Sequence, residues 1–579
     1  MAKNFSIHPV AIACGLVMAV HQPLLHAQQA PNSGTLQPQP SQLSTLPAPG
    51  APQVRTTPVR RAAASSDVKI TPSAFRFTGN TLVPDSELQA VVAKLKGKEV
   101  DFNALADAAA SLRQLYAAKG FVLTDVYLPE QSFAASGGVV EFSVIEARIG
   151  AVRVKAAPGS GVSEKFAQGL ADAYLRRGAL VSQYMLDRPV LLLRDMAGSD
   201  AEATVSPGSQ PGEANVDIQV SPRGKRYEPY VAFDNMGARS AGEYRVAGGI
   251  SVNAPLGMGD VFSARVQAAD SSGNTLYRLS YGMAVGPLGT KLNLSATSSE
   301  YALGKQFESL GATGKAEVIA LSTVHPLIRG RFTNLFASAS VEAKTLNDDI
   351  QQSGSTGRKR ISLLRVGILG NHADRMLAGG ANSFSVTLAA GDLSLDSASA
   401  LQDIGTAPNF GPRTAGNFQK LNVELQRVQY LSDRSSVLVG LIGQVASKNL
   451  TSAEKLNVGG PQGVRGYPIG EGIGDEGAVF TIEYRYQTGL RLAGELVNLT
   501  AFYDYGSVRR DKVRDATTLN ASTVSNKLNL DSAGVGLLVG REGNFVMTAA
   551  LASRIGDPLP TTGDPDSRPR LWLTLQKWF

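Results

Sequence analysis

Cysteine and histidine are scarce in this sequence of 579 residues, which has one cysteine and five histidines. Cys14 and three of the histidines lie within residues 1–27, where Lys3, an apolar run at 10–20 and small residues ending at Ala27 indicate an export signal. Cleavage of this signal leaves a chain that can form no disulfide, no thiolate nucleophile and no cysteine–metal site. Such a chain suits export through an oxidising periplasm.

The sequence also lacks the common motifs of enzymes. It contains no HExxH, no GxSxG and no GxxxxGK[ST] motif. The two histidines outside the signal, His325 and His372, are far apart and have no carboxylate motif around them. We therefore predict no catalytic residue, no metal site and no cofactor. The net charge of +7 is dispersed, without a basic stripe that contains aromatics, so nucleic acid is not an expected partner.

Long apolar runs are missing after the signal, since none approaches the ~20 residues that a membrane-spanning helix needs. Beyond Gly224 the sequence consists of short runs in which apolar and polar residues alternate, for example at 335–344, 383–390 and 479–486. A soluble β-sandwich can show the same alternation. Because these runs continue over residues 224–579 without a convincing helical pattern, we predict a transmembrane antiparallel β-barrel of about 16 strands.

The chain ends in one more alternating run, LWLTLQKWF, which closes on Phe579. We interpret Phe579 as the C-terminal signal of an outer-membrane barrel, although Lys577 stands where such signals prefer an apolar residue. Trp572 and Trp578 are suited to the aromatic girdles at the two membrane interfaces.

The region ahead of the predicted barrel divides into three parts. Residues 28–66 are rich in Pro, Gln, Ser and Ala and are predicted to form an extended linker. Two units with the same order of elements, strand–helix–helix–strand–strand, follow at residues 67–147 and 148–223. Each unit would have a short sheet with an exposed edge, which can accept an extended strand from another chain.

Glycine is concentrated in the segment 459–477, GGPQGVRGYPIGEGIGDEG, which contains one arginine, Arg465. A phosphate-binding loop is one interpretation, but the lysine and the hydroxyl of GxxxxGK[ST] are missing. A surface turn with a solvated arginine is the second. The third is a mobile loop whose arginine pairs with a distant carboxylate.

Several of these features together resemble one known family. Two tandem units stand before a barrel, GVRGY is followed by GDEG at 474–477, and AFYDYG stands at 501–506. From about Val68 to Phe579 the sequence is similar to the outer-membrane transporters of two-partner secretion, the hemolysin-activator type (TpsB), which are relatives of barrel-assembly proteins. Further similarities to the family lie at 184–198, 234–237, 253–260, 287–289 and 325–331.

The resemblance implies a functional site inside the barrel. The glycine-rich segment would be a lumen loop at 459–477, with a motif formed by Gly463, Val464, Arg465, Gly466, Tyr467, Gly474, Asp475 and Gly477. A partner motif on the barrel wall would consist of Phe502, Asp504 and Gly506. We expect the glycines to allow unusual backbone conformations and tight packing of the loop.

Alternation along residues 497–506 supports the pairing of Arg465 with Asp504 independently. The apolar positions 497, 499, 501, 503 and 505 form the face expected against lipid, so Asp504 faces the lumen. An arginine–carboxylate pair can be bidentate and directional. In a confined lumen such a pair is screened less than on a surface.

The implied fold is β-rich, with a C-terminal transmembrane antiparallel β-barrel preceded by two small α+β (βααββ) POTRA domains. The barrel would lie in the bacterial outer membrane and the POTRA domains in the periplasm. Members of the family often have an N-terminal plug helix. Prolines between positions 38 and 52 predict that such a helix is short or absent here.

The implied function is secretion of an unfolded exoprotein of the hemolysin, hemagglutinin or contact-dependent toxin class. The expected partners are a TpsA-like exoprotein, recognised through its N-terminal secretion domain, outer-membrane lipid, and the barrel-assembly machinery that inserts the barrel. An assembly insertase and a diffusion porin are the alternatives. The enzyme-class alternative is an outer-membrane hydrolase with His325 or His372 as its base.

Overall fold

The computed structural model describes residues 30–36, 46, 53–56, 69–133, 136–270, 274–406, 409–514, 525–556, 560, 562 and 567–579. The predicted export signal and most of the predicted linker lie outside these ranges. Among the described residues, no helix is both long enough and apolar enough to cross a membrane.

The part of the structure before the barrel contains seven strands and four helices within the described residues. They are β1 (Gln53–Thr56), β2 (Ala74–Thr78), α1 (Asp85–Val92), α2 (Phe102–Ala118), β3 (Asp125–Tyr127), β4 (Val139–Ile145), β5 (Arg148–Ala156), α3 (Glu164–Tyr174), α4 (Gln183–Arg194), β6 (Ser199–Pro207) and β7 (Glu213–Pro222).

The first unit packs α1 and α2 against a sheet in the order β2-β4-β3. Helix α2 begins where the Asp101 side chain accepts a hydrogen bond from the main-chain N–H of Ala104 at 2.8 Å, as an N-cap. The strand after α2 is short, because Phe121 N–H bonds Tyr116 O and residues 121–124 form a turn before β3 begins. The core is built from large buried side chains, among them Leu88, Leu105, Leu112, Tyr116 and Phe142.

The second unit has a four-stranded sheet in the order β1-β6-β7-β5. Strand β1 comes from the region predicted to be a linker and pairs in parallel with β6, from Gln53↔Glu202 to Thr56↔Val205. Val54 also packs against the core of this unit. Composition did not predict this strand. The strand forms because its main chain bonds an open sheet edge, and the composition of a segment does not show where such an edge lies.

The opposite edge of the same sheet is closed by side chains of helix α3. Gln168 accepts a hydrogen bond from Val154 N–H at 2.9 Å and donates one to Val152 O at 3.3 Å. Covering edge groups in this way prevents another chain from pairing there. In this unit, therefore, the edge at β6 is available only if β1 leaves it.

The rest of the chain forms a closed antiparallel barrel of sixteen strands, which confirms the predicted fold class. Its strands are β8 (Tyr227–Asp234), β9 (Arg245–Asn253), β10 (Val261–Ala269), β11 (Thr275–Val285), β12 (Thr290–Ala302), β13 (Ala312–Arg329), β14 (Thr333–Ile350), β15 (Ser355–Asp374), β16 (Gly380–Leu395), β19 (Gly416–Tyr430), β20 (Ser435–Ala446), β23 (Glu476–Leu492), β24 (Glu495–Arg509), β25 (Lys527–Arg541), β26 (Phe545–Ile555) and β27 (Arg570–Trp578). Helix α5 (Ser397–Ile404) and the two-residue strands β17 (Gly405–Thr406), β18 (Asn409–Phe410), β21 (Leu456–Asn457) and β22 (Ile473–Gly474) lie in the connections.

The orientation of the barrel follows from its order. Strand β8 starts next to the periplasmic units, so its far end, and the connections after β8, β12 and β14, lie on the extracellular side. Residues 30–36 form a turn there and no helix. Ser33 N–H donates to Asp348 of β14 at 2.8 Å. The described residues before the barrel therefore occupy both of its ends, with residues 30–36 at the extracellular end of the lumen and β1 in the periplasm.

Apolar and polar faces alternate along the barrel strands as expected, with one correction. On β27, Leu571 and Leu575 are exposed toward lipid, whereas Trp572 between them is buried at 5% exposure. The assignment of Trp572 to an aromatic girdle is therefore wrong, because its side chain points into the lumen. The positions of the leucines already indicated this, since successive side chains of a strand point to opposite faces.

The second unit is fixed to the periplasmic turn between β13 and β14 by buried charge pairs. Arg329 binds both carboxylate oxygens of Asp195 at 2.7 and 2.9 Å. Arg331 binds Asp187 of helix α4, with one of its contacts at 2.9 Å. The segments 184–198 and 325–331, noted separately in the sequence, thus form one interface between a periplasmic unit and the barrel.

The barrel closes through its shortest pairing, between β27 and β8. Only five residue pairs join them, from Thr574↔Asp234 to Trp578↔Tyr230. Asn235 extends this seam with its side chain, which donates to Leu571 O at 2.9 Å and accepts from Leu573 N–H at 2.7 Å. At the extracellular end of the seam this side-chain amide thus adds to the main-chain bond from Asn235 N–H to Leu573 O at 3.2 Å.

Replacing Asn235 by Ala should destabilise the barrel at its seam, because it removes two hydrogen bonds of a buried side chain. We expect a loss of about 1–3 kcal/mol in the free energy of unfolding. The measurement is thermal unfolding in detergent, followed by loss of the compact form on unheated SDS gels. Asn417→Ala, at an exposed strand position, is the matched control and should change stability by less than about 0.5 kcal/mol. Equal losses in the two variants would contradict the assigned role of Asn235.

Candidate functional site

The connection between β20 and β23, residues 447–475, folds back into the barrel. It begins before the predicted lumen loop at 459–477, and Gly477 lies in β23. The name lumen loop refers to residues 447–475 from here on. Its two limbs pair through the short strands β21 and β22. Beyond them, Val458 N–H bonds Gly472 O at 3.1 Å and Gly459 N–H bonds Glu471 O at 2.8 Å. These bonds make the loop a narrow hairpin with Arg465 close to its tip.

The structure places Arg465 directly against Asp504. Arg465 Nε lies 2.9 Å from Asp504 Oδ2 and Nη2 lies 2.8 Å from Oδ1, which is a bidentate pair. The main-chain N–H of Arg465 donates to the same carboxylate at 3.1 Å. Asp504 is fully buried and also accepts hydrogen bonds from Thr481 and Ser532. The carboxylate is therefore saturated with donors.

A second carboxylate, Glu483 of β23, was not among the predicted site residues. Arg465 Nη1 lies 2.6 Å from Glu483 Oε2, and Arg485 binds the other oxygen of Glu483 at 2.8 Å. The two arginines and the two carboxylates, Asp504 and Glu483, make a cluster of balanced charge that is buried except at Arg485, whose side chain is 35% exposed. The alternation of residues 479–486 already put Glu483 on the polar face, so strand parity could have identified it.

Two aromatic residues complete the surroundings of Arg465. Its guanidinium carbon lies 3.3 Å from the centroid of the Phe502 ring, a stacked cation–π contact. Trp572 of β27 donates its indole N–H to the main-chain oxygen of Arg465 at 2.7 Å. Burial acts to lower the pKa of Arg465, but its bonds to Asp504 and Glu483 outweigh burial and raise it. The guanidinium is thus held as a cation.

The motif glycines provide space rather than unusual backbone angles. A Cβ on Gly506 of β24 would lie 2.1 Å from Val458 of the loop, and one on Gly466 would lie 2.7 Å from Ser532 of β25. Gly463, Gly474 and Gly477 are similarly enclosed by main-chain oxygens. Left-handed angles occur instead at other glycines of the loop, Gly460, Gly470 and Gly472. The motif glycines thus allow the tight packing that was expected, but they do not adopt the unusual backbone conformations that were also expected.

The remaining residues of the predicted motif hold the body of the loop. Val464 and Tyr467 are fully buried in an apolar cluster with Val508 and Leu530 of the wall. Asp475 is fully buried at the base of the loop, where it accepts the main-chain N–H groups of Leu450 and Lys512. Burial raises the pKa of Asp475, against the opposing effect of Lys455 at 3.2 Å.

Three predicted positions lie outside this cluster. Phe579 is exposed, and its main-chain N–H donates to Pro229 O of β8 at 3.0 Å. His325 and His372 each bond a threonine hydroxyl of an adjacent strand, Thr290 and Thr333, at 2.8 Å. Neither histidine is part of the charge cluster around Arg465.

Comparison with known proteins identifies two family models. Residues 212–530 match the family of haemolysin secretion/activation protein ShlB/FhaC/HecB, and residues 70–147 match the ShlB-type POTRA domain. The heme/hemopexin transporter protein HuxB of Haemophilus influenzae strain 86-028NP is 27% identical over 500 residues, 86% of this chain and 85% of HuxB. The outer membrane transporter CdiB of Dickeya dadantii strain 3937 is 22% identical over 457 residues, 76% of this chain and 77% of CdiB.

A solved structure, CdiB from Escherichia coli, is similar with a TM-score of 0.67 at 18% identity. The similar region covers 90% of this chain and 93% of CdiB. The likeness extends over both the barrel and the two units that precede it, so it shows a common fold.

Replacing Asp504 by Asn should release the tip of the lumen loop, since Arg465 keeps its charge but loses the buried carboxylate. Breaking a buried pair costs about 3–5 kcal/mol, which corresponds to on the order of a hundredfold or more in the released fraction. The measurement is the rate of trypsin cleavage after Arg465, identified by mass spectrometry, because cleavage follows the open population.

Glu495→Gln is the control for this prediction. Glu495 pairs with Arg541, whose side chain is 77% exposed, and such exposed pairs contribute about 0–1 kcal/mol. Cleavage after Arg465 should therefore stay at the rate of the unaltered chain. An Asp504→Asn protein cleaved no faster than this control would contradict the pairing.

Proposed function

Since the chain belongs to the haemolysin secretion/activation family ShlB/FhaC/HecB, it is an outer-membrane transporter of two-partner secretion, and we propose that its lumen loop controls the pore through which one exoprotein leaves. The observation that supports this most directly is the bidentate Arg465–Asp504 pair, which holds the loop inside the barrel. A client passing through the lumen has to displace or reshape this loop.

The geometry of the Arg465–Asp504 pair suits a contact that holds the lumen loop at rest and breaks during transport, rather than one that supports the barrel wall permanently. The polar contacts of the tip converge on one residue, because Arg465 makes the bonds to Asp504, Glu483 and Trp572. Each of these bonds is strong only while water is excluded from the site. Entry of a client chain and its water would weaken them together.

Docking of the client takes place on the periplasmic units in this proposal. An unfolded client can bind by adding a strand to a sheet edge, because main-chain hydrogen bonds demand little of its side chains. In the second unit the edge at β6 is covered by β1, a four-residue strand from the N-terminal region. We infer that an extended segment of the client takes the place of β1 on β6.

Transport in this scheme needs no nucleotide. The client reaches the periplasm unfolded and folds outside the cell, and folding removes it from the equilibrium with the unfolded chain in the pore. The barrel-assembly machinery inserts the transporter, and the outward-facing leucines and valines contact outer-membrane lipid. The client is a secreted partner of the hemolysin, hemagglutinin or contact-dependent toxin class, and the name of HuxB adds a heme- or hemopexin-related client to these candidates.

Deleting this protein should remove one large exoprotein from the culture medium, with accumulation or degradation of that exoprotein in the periplasm. The measurement is mass spectrometry of secreted proteins from the deleted and complemented strains. Complementation with Arg465→Ala or Asp504→Ala should restore insertion but not normal secretion, because both variants lack the pair that holds the tip of the lumen loop in its place.

Three outcomes would contradict the proposal or a part of it. Broad loss of outer-membrane proteins on deletion would indicate an assembly insertase, and unchanged secretion together with reduced uptake of small solutes would indicate a porin. Normal secretion by both complemented variants would remove the assigned role of the Arg465–Asp504 pair.

Replacing Val54 by Asp should strengthen client binding, because the charge weakens the packing of β1 on the second unit and leaves β6 uncovered more often. Apparent affinity rises with the fraction of binding-competent protein, so the dissociation constant should fall several-fold. It is measured with the full-length transporter and the N-terminal secretion domain of the client found by the deletion experiment. Arg55→Ala, which removes only an exposed pair with Glu202, is the control and should leave binding unchanged. Weaker or equal binding by Val54→Asp would exclude docking at β6.

A further inference from the structure

The first limb of the lumen loop contains a second buried charge, of opposite sign to Arg465. Glu454 lies in a short helical turn, Ser452–Glu454, and is fully buried. Its carboxylate lies 2.7 Å from Lys344 Nζ of β14 and 2.9 Å from Lys420 Nζ of β19. Arg365 of β15 approaches it to 3.7 Å. Three strands thus direct cations at one carboxylate of the loop.

The main chain and the apolar neighbours of Glu454 are held as well. Lys420 Nζ and the Gln444 side chain both donate to the main-chain oxygen of Glu454, at 2.9 and 3.1 Å. Leu450 and Ala453 pack into an apolar cluster of the barrel wall. Its wall members include Leu346, Ile361, Leu363 and Phe418. Residues 450–454 are therefore held by polar and apolar contacts together and not by an isolated ion pair. The part of the wall that binds these residues is called their seat below.

The charges of this seat are balanced in favour of an ionised carboxylate. Glu342 also binds Arg365, so three cations face two carboxylates. Burial acts to raise the pKa of Glu454, but Lys420, Lys344 and Arg365 outweigh it and hold the pKa at about 2. Glu454 is accordingly negative throughout the pH range in which the protein works.

The two charges of the loop are bound to different parts of the barrel wall. Counted around the barrel from β8, strands β14, β15 and β19 are the seventh, eighth and tenth. The strands that hold Arg465, namely β23, β24 and β27, are the twelfth, thirteenth and sixteenth. The two charges are therefore held on opposite sides of β20, the eleventh strand, from which the lumen loop begins.

We propose that Glu454 is a second anchor of the lumen loop, so that loss of the Arg465–Asp504 pair releases the tip alone and the pore clears only when Glu454 also leaves its seat. Glu454 is a positioning residue in this scheme. This inference rests on the proposed function in one respect, which is that the lumen loop lies in the path of the client.

The test uses two single-cysteine reporters in a Cys14→Ser background. Ala453→Cys reports the base of the loop and Val464→Cys reports its tip, since both side chains are buried against the wall. The full-length protein in detergent is treated with a thiol-reactive maleimide, and the labelling rate is measured. Labelling requires no client, so its result stands even if the proposed secretion function fails.

Each variant should expose one reporter. Arg465→Ala should raise labelling of Val464→Cys many-fold and leave Ala453→Cys protected. Glu454→Gln, which keeps the shape of the side chain but removes its charge, should raise labelling of Ala453→Cys. Glu317→Gln is the matched control, because Glu317 pairs with Lys315 at an exposed strand position and should change neither rate. Unchanged protection of Ala453→Cys in Glu454→Gln would overturn the proposal.

Two further measurements cover misfolding and the pore itself. If Glu454→Gln does not form a compact barrel, Lys344→Met is used instead, which leaves Glu454 paired with Lys420. It should give Ala453→Cys an intermediate labelling rate.

In planar phosphatidylcholine bilayers, the conductance of Arg465→Ala should stay close to that of the unaltered chain. The double variant with Glu454→Gln should exceed it several-fold. If Arg465→Ala alone reaches the conductance of the double variant, Glu454 is not an anchor.

Discussion

The buried positive charge of Arg465 is the constraint on which the arrangement inside the barrel depends. A guanidinium removed from water has to find carboxylates and acceptors at fixed positions, or the burial is unfavourable. Asp504 and Glu483 meet this need from two adjacent strands, and Phe502 and Trp572 close the remaining directions. The glycines then follow as a necessity, because only a loop without side chains at those points can bring its backbone so close to the wall.

Much of this structure could be predicted from the sequence, because barrel strands and helices are periodic. The alternation of residues 497–506 placed Asp504 in the lumen, and the repeated order of elements identified both periplasmic units. What the sequence did not reveal depends on pairing between distant segments. Strand β1 exists because β6 offers an open edge, and Glu454 is buried because cations from three strands surround it. Trp572 is a different case, since the alternation was visible but a tryptophan near a barrel end was assigned to the membrane interface.

The contacts of the lumen loop also connect it to the place where the barrel closes. Trp572 lies on β27, whose pairing with β8 is the shortest around the barrel, and it bonds the same residue that binds Asp504. On the periplasmic side, Arg329 and Arg331 fix the second unit to the turn after β13. Buried charge pairs therefore hold two separate parts of the protein to the barrel, the lumen loop to its inner wall and the second unit to its periplasmic turn.

The turn at residues 30–36 packs directly against the lumen loop. Asn32 accepts a hydrogen bond from Ser452 of the lumen loop at 2.8 Å, so two separate stretches of the protein lie side by side inside the barrel. Gly34 comes so close to the loop that an added Cβ would lie 2.5 Å from the Ser452 hydroxyl. Neither stretch can shift at this contact without moving its neighbour, so the two stretches form one packed unit at the extracellular end of the lumen.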